Sequence, residues 1–334
     1  MEANRIFANK LWNAGRLVLS LLDRAPAAPQ SGPQWTLADS FVFGRLKAIT
    51  RDVERLFQTF QYGEAGRQIY EFFWSEFADW YLEIAKLQVN DGGDRAFYTA
   101  NVTVRIYDYL LRMLHPFTPF VTEELWGYLK RACQEKSGPE HSGRYLPQDE
   151  KAWPEALIVA PWPEPMQDEG WEADNIAAFS QVQEIVRAIR NLRSDKNVKS
   201  NRKLASIFVV SHEANDSLYH LLADDRGVIA ALAGLDESRL ELRESLPVKP
   251  EGHVALVAGG AEIFLPLAGL VDSDEERQRL SKELAETEGQ ISRLEKLLSG
   301  SFAEKAPAAV VQKERDRLAA YQETAQKLRS QLAG

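Results

Sequence analysis

Residues 115–129 read HPFTPFVTEELWGYL, and this stretch marks the junction between two helices. Pro116 cannot continue a helix and disfavours helical backbone in the residue before it, so we expect the preceding helix to end here. Thr118 is a candidate helix cap, and Pro119 suits the first helical position, where a backbone N–H is not needed. The junction therefore predicts two helices on a short connection, the second of which runs through Leu129.

Four helical patterns precede this junction, including the helix that ends there, and each has apolar residues that recur at steps of three or four. Their stripes are Phe7, Leu11, Ala14 and Val18; Val42, Leu46, Ile49, Val53, Leu56 and Phe60; Ile69, Phe73, Phe77, Trp80, Ile84 and Leu87; and Val102, Ile106, Leu110 and Met113. Thr36 and Asp39 at the start of the second pattern come close to a capping box. Consecutive amphipathic helices on short loops predict an up-and-down bundle.

A proline-rich stretch follows between residues 134 and 171, and its prolines forbid a long helix. We expect a long loop packed on the bundle, with Trp153 and Trp162 as anchors. A sixth helix comes next, and its apolar stripe is Phe179, Val182, Ile185, Ile189 and Leu192.

The residues after this helix indicate a small α/β unit. The apolar run 204–210 is typical of a buried strand, 214–235 suggests one or two short helices, and 239–243 fits another strand. Gly259 and Gly260 separate two further apolar runs, and two glycines in that setting predict a β-hairpin because both turn positions need positive φ.

The last segment carries two runs of heptad spacing, separated by Gly300 and Pro307. The first run is Leu280, Leu284, Ile291, Leu294 and Leu298 with Thr287 in one slot, and the second is Val311, Leu318, Tyr321, Ala325, Leu328 and Leu332. Two such runs with a short break favour an antiparallel helical hairpin. The predicted fold is mainly α: an antiparallel bundle at 1–200, with the proline-rich loop at 134–171, a small α/β unit at 201–270, and an antiparallel two-helix coiled coil at 271–334.

Composition excludes several classes of protein. One cysteine, Cys133, among 334 residues excludes an intramolecular disulfide and a cysteine-based zinc site, and it fits a reducing compartment. No apolar run is long enough to span a bilayer, and residues 1–5 show no signal-peptide pattern. The net charge of −9 argues against uniform, non-specific binding of nucleic acid, although basic faces on an acidic body remain possible.

Catalytic motifs are missing from the sequence. The five histidines are scattered, no glycine-rich loop opens a helix after a strand, and no Gly-x-Ser-x-Gly string is present. We therefore expect no catalytic residue, no metal and no cofactor in this chain.

Basic residues cluster in the stretch 179–205, where seven of them face two acidic residues, a local balance of +5. They are Arg187, Arg190, Arg193, Lys196, Lys199, Arg202 and Lys203. Such a stripe on an acidic chain favours binding of a phosphate backbone over the alternative of an ordinary solvated face.

Two other surfaces carry polar groups suited to RNA. In the first helix these are Asn9, Lys10, Asn13 and Arg16, which share with the apolar Leu17 a face opposite the apolar stripe, although outer faces of bundle helices are often polar. In the distal half of the hairpin they are Arg293, Lys296, Lys305, Lys313, Arg315 and Arg317. For the hairpin, an ordinary oligomerisation coiled coil is the alternative that periodicity leaves open.

The order and spacing of several strings resemble class I valyl-tRNA synthetases. The strings are FANKLWNA at 7–14, YEFFW at 70–74, DWYLE at 79–83, HPFTPFVTEELW at 115–126, APWP at 160–163, IRNLR at 189–193, and PLAGLVD at 266–272 followed by the heptads with KAP at 305–307. The isoleucyl branch usually carries a cysteine-rich zinc module at this end, which a single cysteine excludes. The resemblance covers essentially the whole chain.

The resemblance implies that the bundle binds the anticodon arm of tRNA-Val and the hairpin lies against the outer corner of that tRNA. The implied anticodon contacts are Asn9, Lys10, Asn13, Arg16, Leu17, Arg187, Arg190, Asn191 and Arg193. The implied arm contacts are Arg293, Lys296, Lys305, Lys313 and Arg317.

It also implies which parts of the enzyme lie elsewhere. The family's ATP-binding signatures do not occur in this sequence, so the catalytic and editing domains, with ATP and Mg²⁺, are expected before Met1. On this interpretation the chain is a monomeric, cytoplasmic, tRNA-binding C-terminal half that is inactive alone. The alternative is a coiled-coil interaction or oligomerisation module that binds no RNA.

Overall fold

The computed structural model describes residues 2–32, 35–137, 153–267, 273–299 and 308–333. The bundle helices are α1 (Glu2–Arg24), α2 (Leu37–Gln58), α3 (Tyr62–Glu71), α4 (Leu82–Asn90), α5 (Gly93–Leu114), α6 (Pro119–Ser137) and α7 (Glu172–Asp195). They are followed by β1 (Leu204–Val209), α8 (His212–Asp224), α9 (Arg226–Ala233), β2 (Leu235–Arg243), β3 (His253–Ala258), β4 (Ala261–Pro266), α10 (Ser273–Ser299) and α11 (Ala308–Ala333). The prediction of a mainly helical chain with a small sheet is confirmed.

The predicted apolar stripes form the core of the bundle. Members with no exposed surface include Leu11, Val18, Leu46, Val53, Phe73, Phe77, Ile106 and Leu110. Phe60 was assigned to the second stripe, and this is wrong: α2 ends at Gln58, and Phe60 has a φ of 58° and is 78% exposed.

The capping box at the start of α2 is present, because the Asp39 N–H donates to the Thr36 hydroxyl at 3.2 Å and the Thr36 N–H donates to the Asp39 carboxylate at 3.0 Å.

The third predicted helix is not a continuous α-helix. Between α3 and α4 the backbone widens into a π-helix over Phe72–Tyr81, hereafter the π segment. A π-helix of this length is rare, and π-helical turns occur frequently at functional sites. The wider turn spreads the side chains around the axis, so that Phe73 and Phe77 enter the core while Asp79 is exposed at the surface.

The proline-rich segment is held to the bundle as predicted for its two tryptophans. The ring centroid of Trp153 lies 5.3 Å from that of Trp126, and Trp162 lies 5.0 Å from Phe57. The Glu123 carboxylate on α6 accepts hydrogen bonds from the N–H groups of residues 157 and 158, at 2.8 and 3.1 Å. Helix α6 runs to residue 137 and so extends past the expected start of the loop; residues 138–152 lie outside the described residues.

A buried ion pair fixes α7 against α2. Lys47 is almost fully buried, and its Nζ donates to the carboxylates of Glu169 and Glu172 at 2.7 Å each. Nearby, the rings of Phe41 and Phe179 stack with centroids 4.2 Å apart. These contacts set the position of α7, which carries the basic stripe.

The small sheet has the strand order β2-β1-β4-β3. Strand β1 pairs parallel to β2 and antiparallel to β4, and β3 pairs antiparallel to β4. The predicted hairpin is confirmed, with Gly259 and Gly260 at φ values of 55° and 85°. A Cβ atom on Gly259 would lie only 2.4 Å from the carbonyl oxygen of Gln181, so the turn contacts α7 at a point where only glycine fits.

Helices α10 and α11 lie against each other in opposite directions. Arg329 on α11 donates to Glu288 on α10 at 2.6 Å, and Gln322 reaches Glu295 at 3.5 Å. Among the residues of this pair whose burial the structure describes, 281–299 and 311–329, the buried ones are all predicted heptad positions: Thr287, Leu294, Val311, Ala325 and Leu328. Gly300 and Pro307, the predicted break, lie outside the described residues.

None of the helices described is long and apolar enough to cross a membrane. Within the described ranges, no group of three or more His, Cys, Asp or Glu side chains could hold a metal ion. Cys133 is buried, and burial raises the pKa of its thiol.

Candidate nucleic-acid interface

The predicted face of α1 presents three polar side chains to solvent. Asn9, Asn13 and Arg16 are exposed, and their spacing of four and three residues places them in one row along the helix. Among the described residues none of these three side chains has a hydrogen-bond partner. They are therefore available to a ligand.

The two other residues predicted for this face are engaged with the protein. Lys10 donates from Nζ to Oδ1 of Asp79 at 2.6 Å, and its ammonium lies 3.7 Å from the ring centroid of Trp74. Both partners belong to the π segment. Leu17 is half-buried and packs against the core.

The predicted face of α7 is built around a second tryptophan of the π segment. The guanidinium carbons of Arg187 and Arg190 lie 5.3 and 5.5 Å from the ring centroid of Trp80. Arg190 also donates from Nε to the carbonyl oxygen of Leu232 at 2.8 Å. Both arginines and the neighbouring Asn191 are exposed, so their outer edges face solvent.

Arg193 differs from the other members of this stripe. It is 7% exposed, and its guanidinium donates to the carbonyl oxygens of Gly234 and Lys199 at 3.0 and 3.1 Å. Burial lowers its pKa. The structure thus corrects its predicted place on the surface: Arg193 joins α7 to the small sheet, and the predicted anticodon contacts that α7 exposes are Arg187, Arg190 and Asn191.

The two faces meet at Asp79 and Trp80, neighbours in the π segment. The Asp79 carboxylate binds Lys10 of α1, and the Trp80 ring lies beneath the guanidinium groups of Arg187 and Arg190 of α7. The charges of Asp79 and Glu83 also act on Arg190. Burial lowers the pKa of Arg190, and these two carboxylates partly offset that shift. The faces that the sequence placed on separate helices therefore form one surface across the π segment, hereafter the joint face.

Aromatic residues of the joint face are the part that the sequence interpretation missed. Trp74 and Trp80 each carry cationic side chains on their rings, an arrangement worth about 0.5–2 kcal/mol per pair. The string at 70–83 contained the signal, since both tryptophans and Asp79 lie in it. Its periodicity resembles that of an ordinary core helix and does not show that the Trp74 ring lies beneath Lys10 or that the buried Trp80 ring lies beneath Arg187 and Arg190.

The predicted arm contacts are exposed where the structure describes them. Arg293 and Lys296 lie on α10, and Lys313 and Arg317 lie on α11. Arg317 pairs with Glu314 at 3.2 Å on the surface, and a surface pair of this kind is weak enough to exchange for a phosphate. Lys305 lies outside the described residues.

Known proteins match both parts of the chain. A family model described as the anticodon-binding domain of tRNA ligases matches residues 39–209, and another, described as the tRNA-binding arm of valyl-tRNA synthetase, matches residues 272–334. The valine--tRNA ligase of Symbiobacterium thermophilum is 36% identical over the whole chain, which covers 36% of that protein's length. The chain belongs to the valyl-tRNA synthetase family.

Other members of the valyl-tRNA synthetase family show the same relationship. The valine--tRNA ligase of Carboxydothermus hydrogenoformans is 36% identical over 96% of this chain. The chloroplastic/mitochondrial valine--tRNA ligase 2 of Arabidopsis thaliana is 33% identical over 93% of it. This chain spans about a third of the length of these relatives, at 33% and 31%.

The family assignment confirms the resemblance drawn from the sequence strings. The matched parts are the anticodon-binding and tRNA-binding arm regions of valyl-tRNA synthetases, and the interaction module without RNA binding is not favoured. The bundle match runs through residue 209 and includes β1, whereas the boundaries at 200 and 270 remain predictions.

Proposed function

We propose that this chain binds tRNA-Val, with the joint face on the anticodon arm. The observation that carries the proposal is that α1 and α7 both contact the π segment, which lies with α7 inside the anticodon-binding match at residues 39–209. Arg16, Arg187 and Arg190 supply positive charge for phosphates. Asn9, Asn13 and Asn191 supply amides that can both donate to and accept from base edges.

Helices α10 and α11 form, in this proposal, an antiparallel coiled-coil arm. The buried heptad positions and the pairing of Glu288 with Arg329 support it. In this arm, phosphates at the outer corner of the tRNA are contacted by five basic residues: Arg293, Lys296, Lys305, Lys313 and Arg317. Such contacts position the RNA without reading its sequence.

The role of both contacts in the whole enzyme is positioning. We infer that they hold the acceptor end of tRNA-Val in a catalytic part of the same enzyme, where valine is attached with ATP and Mg²⁺. Fixing a substrate at a distance from the reacting atoms lowers the entropic cost of the reaction. The chain is a monomer on this proposal and has no catalytic residue, cofactor or metal of its own.

Equilibrium binding tests the proposal. The chain is titrated with a tRNA-Val transcript and with the same transcript carrying a swapped anticodon, across a salt series. We expect tighter binding of the valine anticodon and a steep salt dependence, since phosphate contacts release counterions. Equal affinity for both transcripts would refute anticodon reading, and no binding at moderate salt would refute the proposed function.

Two variants separate the roles within the same assay. Asn13→Ala should weaken binding to the valine anticodon and leave the swapped transcript unchanged. Lys296→Ala should weaken both transcripts equally and reduce the salt slope by about one. Arg239→Ala is the matched control, because Arg239 is an exposed arginine on β2 that pairs with Asp236.

A further inference from the structure

The joint face contains a carboxylate where phosphate binding alone would exclude one. Asp79 pairs with Lys10 and is the chain neighbour of Trp80, over which Arg187 and Arg190 lie, and its side chain is half exposed. A negative charge at this place repels the RNA backbone and weakens non-specific binding. Its position is explained if the carboxylate accepts hydrogen bonds from a base.

The orientation of Asp79 is fixed by one of its two oxygens. Oδ1 accepts from Lys10 at 2.6 Å, and within the described residues Oδ2 has no hydrogen-bond partner. Lys10 is itself held over the Trp74 ring at 3.7 Å, so its ammonium cannot swing away freely. Lys10 also donates to the Trp74 carbonyl oxygen at 3.5 Å, which leaves one N–H of its ammonium group. The result is a fixed acceptor, Oδ2 of Asp79, beside a fixed donor, the third N–H of Lys10.

An adjacent acceptor and donor select among the four bases. Adenine and cytosine present an exocyclic amino donor next to a ring-nitrogen acceptor on their pairing edge, and guanine and uracil present the reverse order, a keto acceptor next to an N–H donor. Carboxylates accept from such amino groups in nucleic-acid recognition. Because only one oxygen of Asp79 is open, the paired N–H groups of guanine cannot bind it in bidentate fashion.

We propose that Asp79 is a specificity-determining residue that accepts a hydrogen bond from the exocyclic amino group of an adenine or cytosine in the anticodon, with Lys10 donating to the adjacent ring nitrogen. This inference rests on the proposed function and names the chemistry read at that site. Valine codons begin with G and U, so the anticodon bases that pair with them are cytosine and adenine. Both carry the edge that Asp79 and Lys10 match.

Synthetic anticodon stem-loops test the inference with the whole chain. Three RNAs share one stem and differ by a single anticodon base: the valine loop, a cytosine-to-uracil change, and an adenine-to-inosine change. Each change replaces an amino group by a keto group. We expect at least one of them to weaken binding about tenfold, the effect of losing one hydrogen bond to a charged group.

Asp79→Asn should remove this preference. The amide oxygen still accepts from Lys10, while the amide NH₂ replaces the free acceptor by a donor, so the amino-to-keto affinity ratio falls to about one or inverts. Glu76→Gln is the matched control: it makes the same charge change in the π segment, at a residue that pairs with Arg45 at 2.6 and 2.8 Å. It should keep the wild-type ratio.

The outcomes separate this inference from the proposed function. An Asp79→Asn protein that keeps the wild-type ratio overturns the role of Asp79. A wild-type ratio of one, in a protein that still prefers the valine transcript to the swapped one, overturns the amino-group reading alone. Failure of the wild type to bind any of these RNAs or the tRNA removes the proposed function and this inference with it.

Discussion

The guanidinium of Arg193 donates from Nη1 to the carbonyl oxygen of Gly234 at 3.0 Å and thereby joins the end of α7 to the start of β2. Gly234 has a φ of 70°, and a Cβ atom there would lie 2.9 Å from the Arg193 guanidinium carbon. The second donor, Nη2, binds the carbonyl oxygen of Lys199 in the connection to β1. One side chain thus links three segments of the chain.

Arg193→Met should lower the free energy of unfolding by about 3 kcal/mol, because it removes two hydrogen bonds from a charged donor to part-buried carbonyl oxygens. Arg187→Met is the control, since Arg187 is exposed and its guanidinium lies over the ring of Trp80. This variant should lower the free energy of unfolding by less than about 1 kcal/mol. Urea denaturation measures both. Equal midpoints for the two variants would contradict the assignment of Arg193 to the interior.

Asp225 should make the protein less stable as the pH rises towards neutrality. Burial, with the nearby charges of Asp224 and Asp39, raises the pKa of Asp225 from 3.8 to about 6. The folded state therefore holds this proton more tightly than the unfolded chain, and the resulting stability is complete below pH 3.8 and lost as the pH passes 6.

Replacing this carboxylate by an amide tests that linkage. Asp225→Asn should stabilise the chain at pH 7.5 by on the order of 2 kcal/mol, since one pKa unit corresponds to about 1.4 kcal/mol. No capping hydrogen bond is lost, because the Asp225 side chain makes none to α9. The gain should vanish near pH 4 in denaturant titrations, and a gain independent of pH would count against it.

Two helical glycines should respond to alanine with opposite signs. A Cβ atom on Gly15 would lie 2.5 Å from the Tyr107 hydroxyl oxygen and 2.9 Å from Leu125, where α1 packs on α5 and α6. Gly15→Ala should destabilise the protein by about 2 kcal/mol through overpacking. Gly127 on α6 has no atom within 4 Å of that position, so Gly127→Ala should stabilise by about 0.5–1 kcal/mol through helix propensity. Thermal melting of both variants tests this prediction. Melting temperatures that shift in the same direction for both variants would contradict the packing described.

Thr287 occupies a buried position between α10 and α11, and its hydroxyl donates to the Glu283 carbonyl at 2.8 Å. Thr287→Leu should stabilise this helix pair by about 1 kcal/mol, because apolar area replaces a polar group in the seam. Thr324→Leu is the matched control, since Thr324 makes the same bond to Ala320 but is exposed. Slower amide exchange in the arm of the first variant only is the expected result; equal protection in both would remove Thr287 from the seam.

The sequence predicts the helices of this fold well, because long apolar stripes such as Leu11 to Val18 show the helical period of 3.6 residues. It predicts the hairpin at Gly259 for an equally local reason, the need for positive φ. The π segment escapes prediction because the spacing from Phe73 to Phe77 and Trp80 fits an α-helix equally well. Its wider turn is visible only in three dimensions.

The candidate site is predictable only as a set of residue types. Arg187, Arg190 and Arg193 recur every three residues, but each step turns the side chain by about 300° around a helix of 3.6 residues per turn, so the last points about 120° away from the first. Arg193 donates to the carbonyl oxygen of Gly234, which lies 41 positions later in the chain. The pairing of Lys10 with Asp79 spans 69 positions, so the local sequence pattern does not predict it either.

The antiparallel pairing of Glu288 with Arg329 and of Glu295 with Gln322 limits how the length of this helix pair can change. A position seven residues further along α10 pairs with a position seven residues earlier on α11, so an insertion in one helix alone would shift every later pair out of register. Only equal insertions in both helices preserve the match, and a heptad in each would add about 10 Å of reach. The length of the arm can therefore change only in steps of one heptad, inserted or deleted in both helices together.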